Sequence, residues 1–118
     1  MNQNRYIIEE EHSISIDEGT TGPLTIQVPN ILPLDGLEIN FQVHDKTNKP
    51  VMRKGDADWQ RTPGELYETI QCQITRLNTH GKPGTHRWEI FAHNEDLTVN
   101  IKFGEGSFIV LPTKVKNL

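Results

Sequence analysis

The sequence predicts an all-β fold, a single antiparallel β-sandwich of about seven to eight strands. Three observations predict it. Apolar residues recur at every second position in run after run, the pattern of strands with one buried face. Glycine, proline, asparagine and aspartate separate those runs at intervals of roughly 8–12 residues. No stretch of about eleven residues or more carries the 3.6-residue apolar period of an amphipathic helix.

The elements follow in order. Ile14 and Ile16 alternate with Ser13, Ser15 and Asp17, and Leu24, Ile26 and Val28 alternate with Thr25 and Gln27. Gly19 and Gly22-Pro23 separate these two runs. Pro29, Pro33 and Asp35-Gly36 precede a third, in which Leu37, Ile39, Phe41 and Val43 take the inward parity. Asn48-Lys49-Pro50 marks a hairpin into a short edge strand, Val51 to Arg53. Leu66, Ile70, Cys72 and Ile74 share one parity, and Gly81 to Gly84 forms the next loop. Trp88, Ile90 and Ala92 follow, then Leu97, Val99, Ile101 and Phe103, then Phe108 and Val110. Asn94-Glu95-Asp96 and Gly104-Glu105-Gly106 read as two tight hairpins between these last strands. Thr62 to Tyr67 is the best helical stretch, and Pro63-Gly64 limits it to one turn.

Parity therefore assigns the core to Ile14, Ile16, Leu24, Ile26, Val28, Leu37, Ile39, Phe41, Val43, Ile70, Cys72, Ile74, Trp88, Ile90, Val99, Ile101, Phe103, Phe108 and Val110. Strand number and spacing fit immunoglobulin-like and jelly-roll-like connectivity equally.

A length of 118 residues fits one domain, over residues 12–111, flanked by an arm at 1–11 and a tail at 112–118. Apolar residues make up 34% of the chain, enough for one compact core. The longest apolar run, Phe108 to Leu111, is too short for a membrane-spanning helix. No charged-then-apolar leader opens the sequence, so no signal peptide is expected. A net charge of -4 argues against a nucleic-acid partner, which needs a basic surface. The single cysteine, Cys72, excludes an internal disulfide and any multi-thiolate metal centre, and its inward parity makes it an inert core residue.

No metal, cofactor or catalytic centre is expected. His12, His44, His80, His86 and His93 include no pair at helical ligand spacing. A β-strand metal face at His44 and Asp45 is the weaker alternative. Asp56-Ala57-Asp58 lacks the glycine and distal glutamate of a calcium loop. There is no Gly-x-Ser-x-Gly elbow and no phosphate-binding glycine loop, and no two of the sixteen acids are singled out as a catalytic pair. Two aromatics stand apart from the core pattern. Trp59 follows Asp58 off any clear apolar parity, and Phe91 has outward parity. Exposed, they fit a subunit contact or, as the alternative, a stacking platform for a glycan.

One segment order carries a resemblance. Pro83-Gly84-Thr85-His86-Arg87-Trp88-Glu89-Ile90 leads to Leu97-Thr98-Val99-Asn100-Ile101-Lys102, and then to Gly106-Ser107-Phe108-Ile109-Val110. Leu37 to Asp45, followed by Asn48-Lys49-Pro50-Val51, precedes them. Over roughly residues 14 to 111 this order resembles the small β-sandwich domains of tailed-phage structural proteins, especially the N-terminal domain of baseplate upper proteins. The resemblance implies a non-enzymatic virion protein of baseplate, tail or head decoration. Its expected partners are other virion proteins, as a homo-oligomer or lattice. It implies no catalytic residues. A carbohydrate-binding or adhesion module is the alternative function.

The ends fit the same reading. Tyr6, Ile7 and Ile8 form an apolar trio ahead of Glu9-Glu10-Glu11, and Lys114 and Lys116 give the tail positive charge. Both ends are expected to contact neighbouring subunits. The alternative is that Tyr6 to Ile8 is the first strand of the protein's own sheet.

Overall fold

A computed structural model of the chain describes residues 13–30 and 34–112. It contains eight strands: β1 (Ile14–Asp17), β2 (Gly22–Pro29), β3 (Glu38–His44), β4 (Pro50–Lys54), β5 (Gln60–Thr62), β6 (Tyr67–Ile74), β7 (Gly84–His93) and β8 (Asn100–Leu111). One helical turn, α1 (Arg76–Thr79), sits between β6 and β7, and a 3₁₀ turn, Asp56–Asp58, sits between β4 and β5. A five-stranded sheet in the order β1-β8-β7-β3-β4 packs against a three-stranded sheet in the order β2-β6-β5. This is an immunoglobulin-like arrangement. β2, β6 and β5 occupy the places of strands B, E and D, and β4, β3, β7 and β8 those of C′, C, F and G.

The alternation sorts the side chains as parity requires. Val28, Ile39, Phe41, Val43, Ile70, Cys72, Ile74, Trp88, Ile90, Phe103, Phe108 and Val110 are buried between the sheets. Phe41 lies at the centre, stacked on Trp88 with ring centroids 5.7 Å apart and edge-on to Phe108 at 6.4 Å. Ile14, Ile16, Leu24, Ile26, Leu37 and Ile101 are only partly buried and pack on the core from its margins. Leu34, Val51, Met52, Trp59 and Ala92 complete it.

Five expectations are corrected. β1 pairs with β8 in parallel, Ile14 beside Phe108, so the sandwich is not wholly antiparallel. First and last strands share no hairpin, and nothing in their connection fixes their relative direction. Gly104-Glu105-Gly106 is not a hairpin. β8 runs straight through it, with Gly106 opposite Trp88 in the register and the Trp88 ring packed against Gly104. A Cβ on Gly104 would lie 3.0 Å from Ile90 Cγ2 and 3.1 Å from the Trp88 ring. The register with β7 slips at Ile90/Phe91, the mark of a β-bulge. Leu97 and Val99 belong to the β7–β8 turn, not to a strand, and Val99 is not core. Leu66, given inward parity, precedes β6 and is exposed. The helical turn forms at Arg76–Thr79 rather than at Thr62 to Tyr67, where Pro63-Gly64 sits in an open loop.

Hydrogen bonds fix the ends. Thr79, fully buried, accepts from Gly19 N at 2.9 Å, and Glu18 accepts from Gly81 N at 2.6 Å. These join the β1–β2 turn to the α1 loop. Asp56 accepts from Ile39 N at 2.8 Å, which puts this aspartate to structural use.

Candidate interaction surface

The opposite end of the sandwich is formed by three loops: β2–β3 (of which residues 30 and 34–37 are described), β5–β6 (residues 63–66) and β7–β8 (residues 94–99). The registers place it. Pro29 faces Tyr67 in one sheet, and Glu38 faces His93, which faces Asn100, in the other. Two asparagines shape the end. Asn30 donates from Nδ2 to the carbonyls of Gly64 and Glu65, each at 2.9 Å, and from its backbone N to Leu66 O at 3.0 Å. Asn94 accepts from Val99 N at 3.0 Å and donates to Thr98 Oγ1 at 2.7 Å. Asp96 accepts from Thr98 Oγ1 at 2.9 Å. The backbone N–H and hydroxyl of Thr98 hold the Asp96 carboxyl below its usual pKa.

These bonds present apolar side chains to solvent. Leu66 is 72% exposed, Leu97 59%, Tyr67 46% and Val99 40%. Leu97 also sits at φ 62°, a left-handed conformation that a leucine rarely adopts. Such strain persists only where neighbouring bonds impose it, and it concentrates at sites of function. Sequence reasoning missed this set, because it assigned Leu66 and Val99 to strand interiors. The available signal was position: an apolar residue directly after Asn94-Glu95-Asp96 has little strand left to belong to.

The expected site residues fall elsewhere. Trp59 is a correction: it is 7% exposed and belongs to the core. The 3₁₀ turn carries its indole inward, edge-on to Phe41 at 5.9 Å, and Nε1 donates to Lys54 O at 3.3 Å. Phe91 does lie on the outer face of the five-stranded sheet, half-buried between Asn40 and Lys102 in the register. Tyr6, Ile7, Ile8, Lys114 and Lys116 lie outside the described residues.

Beside Phe91 runs a charge cluster. Lys102 Nζ reaches Glu89 at 2.7 Å and Glu105 at 2.6 Å, and Arg87 reaches Glu105 at 3.7 Å. Burial disfavours the Lys102 ammonium, but the hydrogen bonds it donates to Glu105 and Glu89 outweigh this and raise its pKa. Of the described histidines, His44 and His86 line one cleft. His86 Nε2 donates to Lys82 O at 2.9 Å, His93 Nδ1 lies 3.0 Å from Asn94 O, and His80 is exposed. Among the described residues no three His, Cys, Asp or Glu side chains converge as a metal site would need. No helix of the described residues is long and apolar enough to cross a membrane.

The β2 edge of the small sheet is blunted. Asn30 N donates to Leu66 O, just before β6 and in step with the β2–β6 register, so the even-numbered residues of β2 point their N–H groups inward to the ladder. Pro23 and Pro29 therefore stand where N–H groups would face the free edge, leaving Thr25 and Gln27 as its donors within β2.

No family model matches the chain, and no curated protein sequence matches it. Among solved structures it is similar to one described as fibronectin(III)-like modules of Clostridium thermocellum CbhA, at 8% identity and a TM-score of 0.46, covering 89% of this chain and 93% of that one.

Proposed function

We propose that this β-sandwich module is non-catalytic and works by protein–protein contact, as a subunit of the kind of assembly its sequence resembles, the tailed-phage virion. One observation carries the reading. Leu66, Leu97 and Val99, on loops fixed by Asn30 and Asn94, and Tyr67, the first residue of β6, are exposed at one end of the sandwich. Apolar side chains held rigidly in water lower the ordering cost of an interface and fit its buried centre. The partner is a second copy of the chain, in keeping with the symmetric contacts that dominate soluble assemblies. Sedimentation of the wild type against loop-end variants tests it.

A second reading has its own support. Phe91, half-buried among polar neighbours on the open sheet face, is a surface on which a sugar ring could stack. A glycan array with the wild type and Phe91→Ala decides it. Binding that depends on Phe91 would favour the glycan module over the subunit.

A further inference from the structure

Among the described residues, the outer face of the three-stranded sheet carries no charged side chain. The registers align its outward residues in two rows across β2, β6 and β5, Thr25–Gln71–Gln60 and Gln27–Thr69–Thr62. The alternate residues Leu24, Ile26, Ile70 and Cys72 point into the core, so these six point away from it. Thr69 is half-buried and the other five are exposed. The flanking pairs, Pro23 with Gln73 and Pro29 with Tyr67, are uncharged as well. The chain is 24% charged, and the outer face of the other sheet gathers Arg87, Glu89, Lys102 and Glu105. Of the two outer faces, one holds charge and the other holds amides and hydroxyls.

That chemistry selects a partner. Gln71 Nε2 donates to Thr25 Oγ1 at 3.0 Å, which leaves the Gln71 carbonyl to accept and the Thr25 hydroxyl to donate. Among the described residues no hydrogen bond engages the side chains of Gln27, Gln60, Thr62 or Thr69. A nucleic acid or an anionic membrane finds no cation on this face, and a basic partner finds no carboxylate. An amphipathic helix finds no apolar groove. A neutral sugar polymer has hydroxyls that both donate and accept, as these side chains do. Area points the same way. Three strands about 4.8 Å apart, each residue rising about 3.4 Å, give at most roughly 14 by 27 Å over the eight residues of β2 and β6. That is about half of the ~800 Å² that each partner buries in a specific protein interface, and it is long enough for a single extended sugar chain.

We propose that the Thr/Gln face of the three-stranded sheet binds an uncharged polysaccharide, whose hydroxyls bond to the side chains of the two rows. The site lies on the opposite sheet from Phe91, and its rows include none of the exposed leucines of the loop end, so each assignment can fail without the others.

Depletion of the full chain from solution by insoluble cellulose, mannan and starch tests it, with cross-linked polygalacturonate as the charged control. At least one neutral polymer should deplete the wild type, equally at low and high salt because no ion pair contributes, and polygalacturonate should not. The double substitution Gln60→Ala with Gln71→Ala should weaken binding about tenfold or more. Thr25→Val and Thr62→Val keep the side-chain shape and remove the hydroxyl, and each should weaken it too, which decides the matter if the glutamine variant fails to fold. Phe91→Ala and Leu97→Gly should stay bound. No depletion by any of the neutral polymers would overturn the proposal. So would equal depletion by polygalacturonate, or binding that high salt or Phe91→Ala abolishes while the row variants leave it unchanged.

Discussion

Trp59 stands edge-on to Phe41, ring centroids 5.9 Å apart and planes 76° from parallel. That relationship closes the side of the sandwich where β4 passes over to β5, and it makes Trp59 a core residue. Trp59→Ala is expected to lower stability by about 3–5 kcal/mol, the usual cost of removing a buried aromatic. Chemical denaturation measures it. A loss under about 1 kcal/mol would mean that the indole is not packed as described.

Gly104 lies under the Trp88 ring. Gly104→Ala should cost about 1–3 kcal/mol, because its Cβ would meet Ile90 and Trp88 within 3.2 Å and both are buried. The melting temperature of the variant reports this.

Arg61 acts as a clip. Its Nη1 and Nη2 donate to the carbonyls of Leu37 and Leu34, at 2.7 and 2.9 Å, while Nε donates to Glu68 at 2.8 Å. Arg61→Ala removes the side-chain donor to Leu37 O and Glu68 and one of two donors to Leu34 O, and should cost about 1–3 kcal/mol. Arg61→Lys should not restore the loss, since a single ammonium cannot span three acceptors with the geometry of the fork. Faster hydrogen exchange at Leu37, whose amide bonds to Leu34 O, would accompany the change.

Burial pushes the Cys72 thiol up from 9.0 to about 11. The folded state therefore keeps its proton at pH values where the unfolded thiol ionises. The resulting stability is present below pH 9 and is lost as the pH rises toward 11. Stability should fall less steeply across that window in Cys72→Ala than in the wild type. At pH 8 a disulfide reagent should label the thiol slowly, and denaturant should speed labelling greatly.

The strands were legible in the sequence because alternation is imposed by the pleat itself. Ile39, Phe41 and Val43, or Ile70, Cys72 and Ile74, admit one inward face and no other. The glycines of β8 were misread because glycine marks both a reversal and a close approach, and only the position of Trp88 distinguishes them. Trp59 was misread because its burial depends on a 3₁₀ turn with no periodic signature. The exposed leucines were hidden for a related reason. Leu66 and Val99 keep the parity of the strands they adjoin, but β6 begins at Tyr67 and β8 at Asn100, and both residues are exposed in the loops that Asn30 and Asn94 hold.

Leu97 offers the most direct test of the central claim, because its two roles pull in opposite directions. At φ 62° a glycine is more comfortable than a leucine, so Leu97→Gly should fold with unchanged or higher stability. It should also lose an anchor of the contact. Sedimentation velocity over a concentration series compares the wild type with Leu97→Gly and Leu66→Asp. The account predicts reversible, concentration-dependent association of the wild type, and folded monomers for both variants at the same concentrations. A wild type that stays monomeric throughout, or variants that associate as the wild type does, would contradict it.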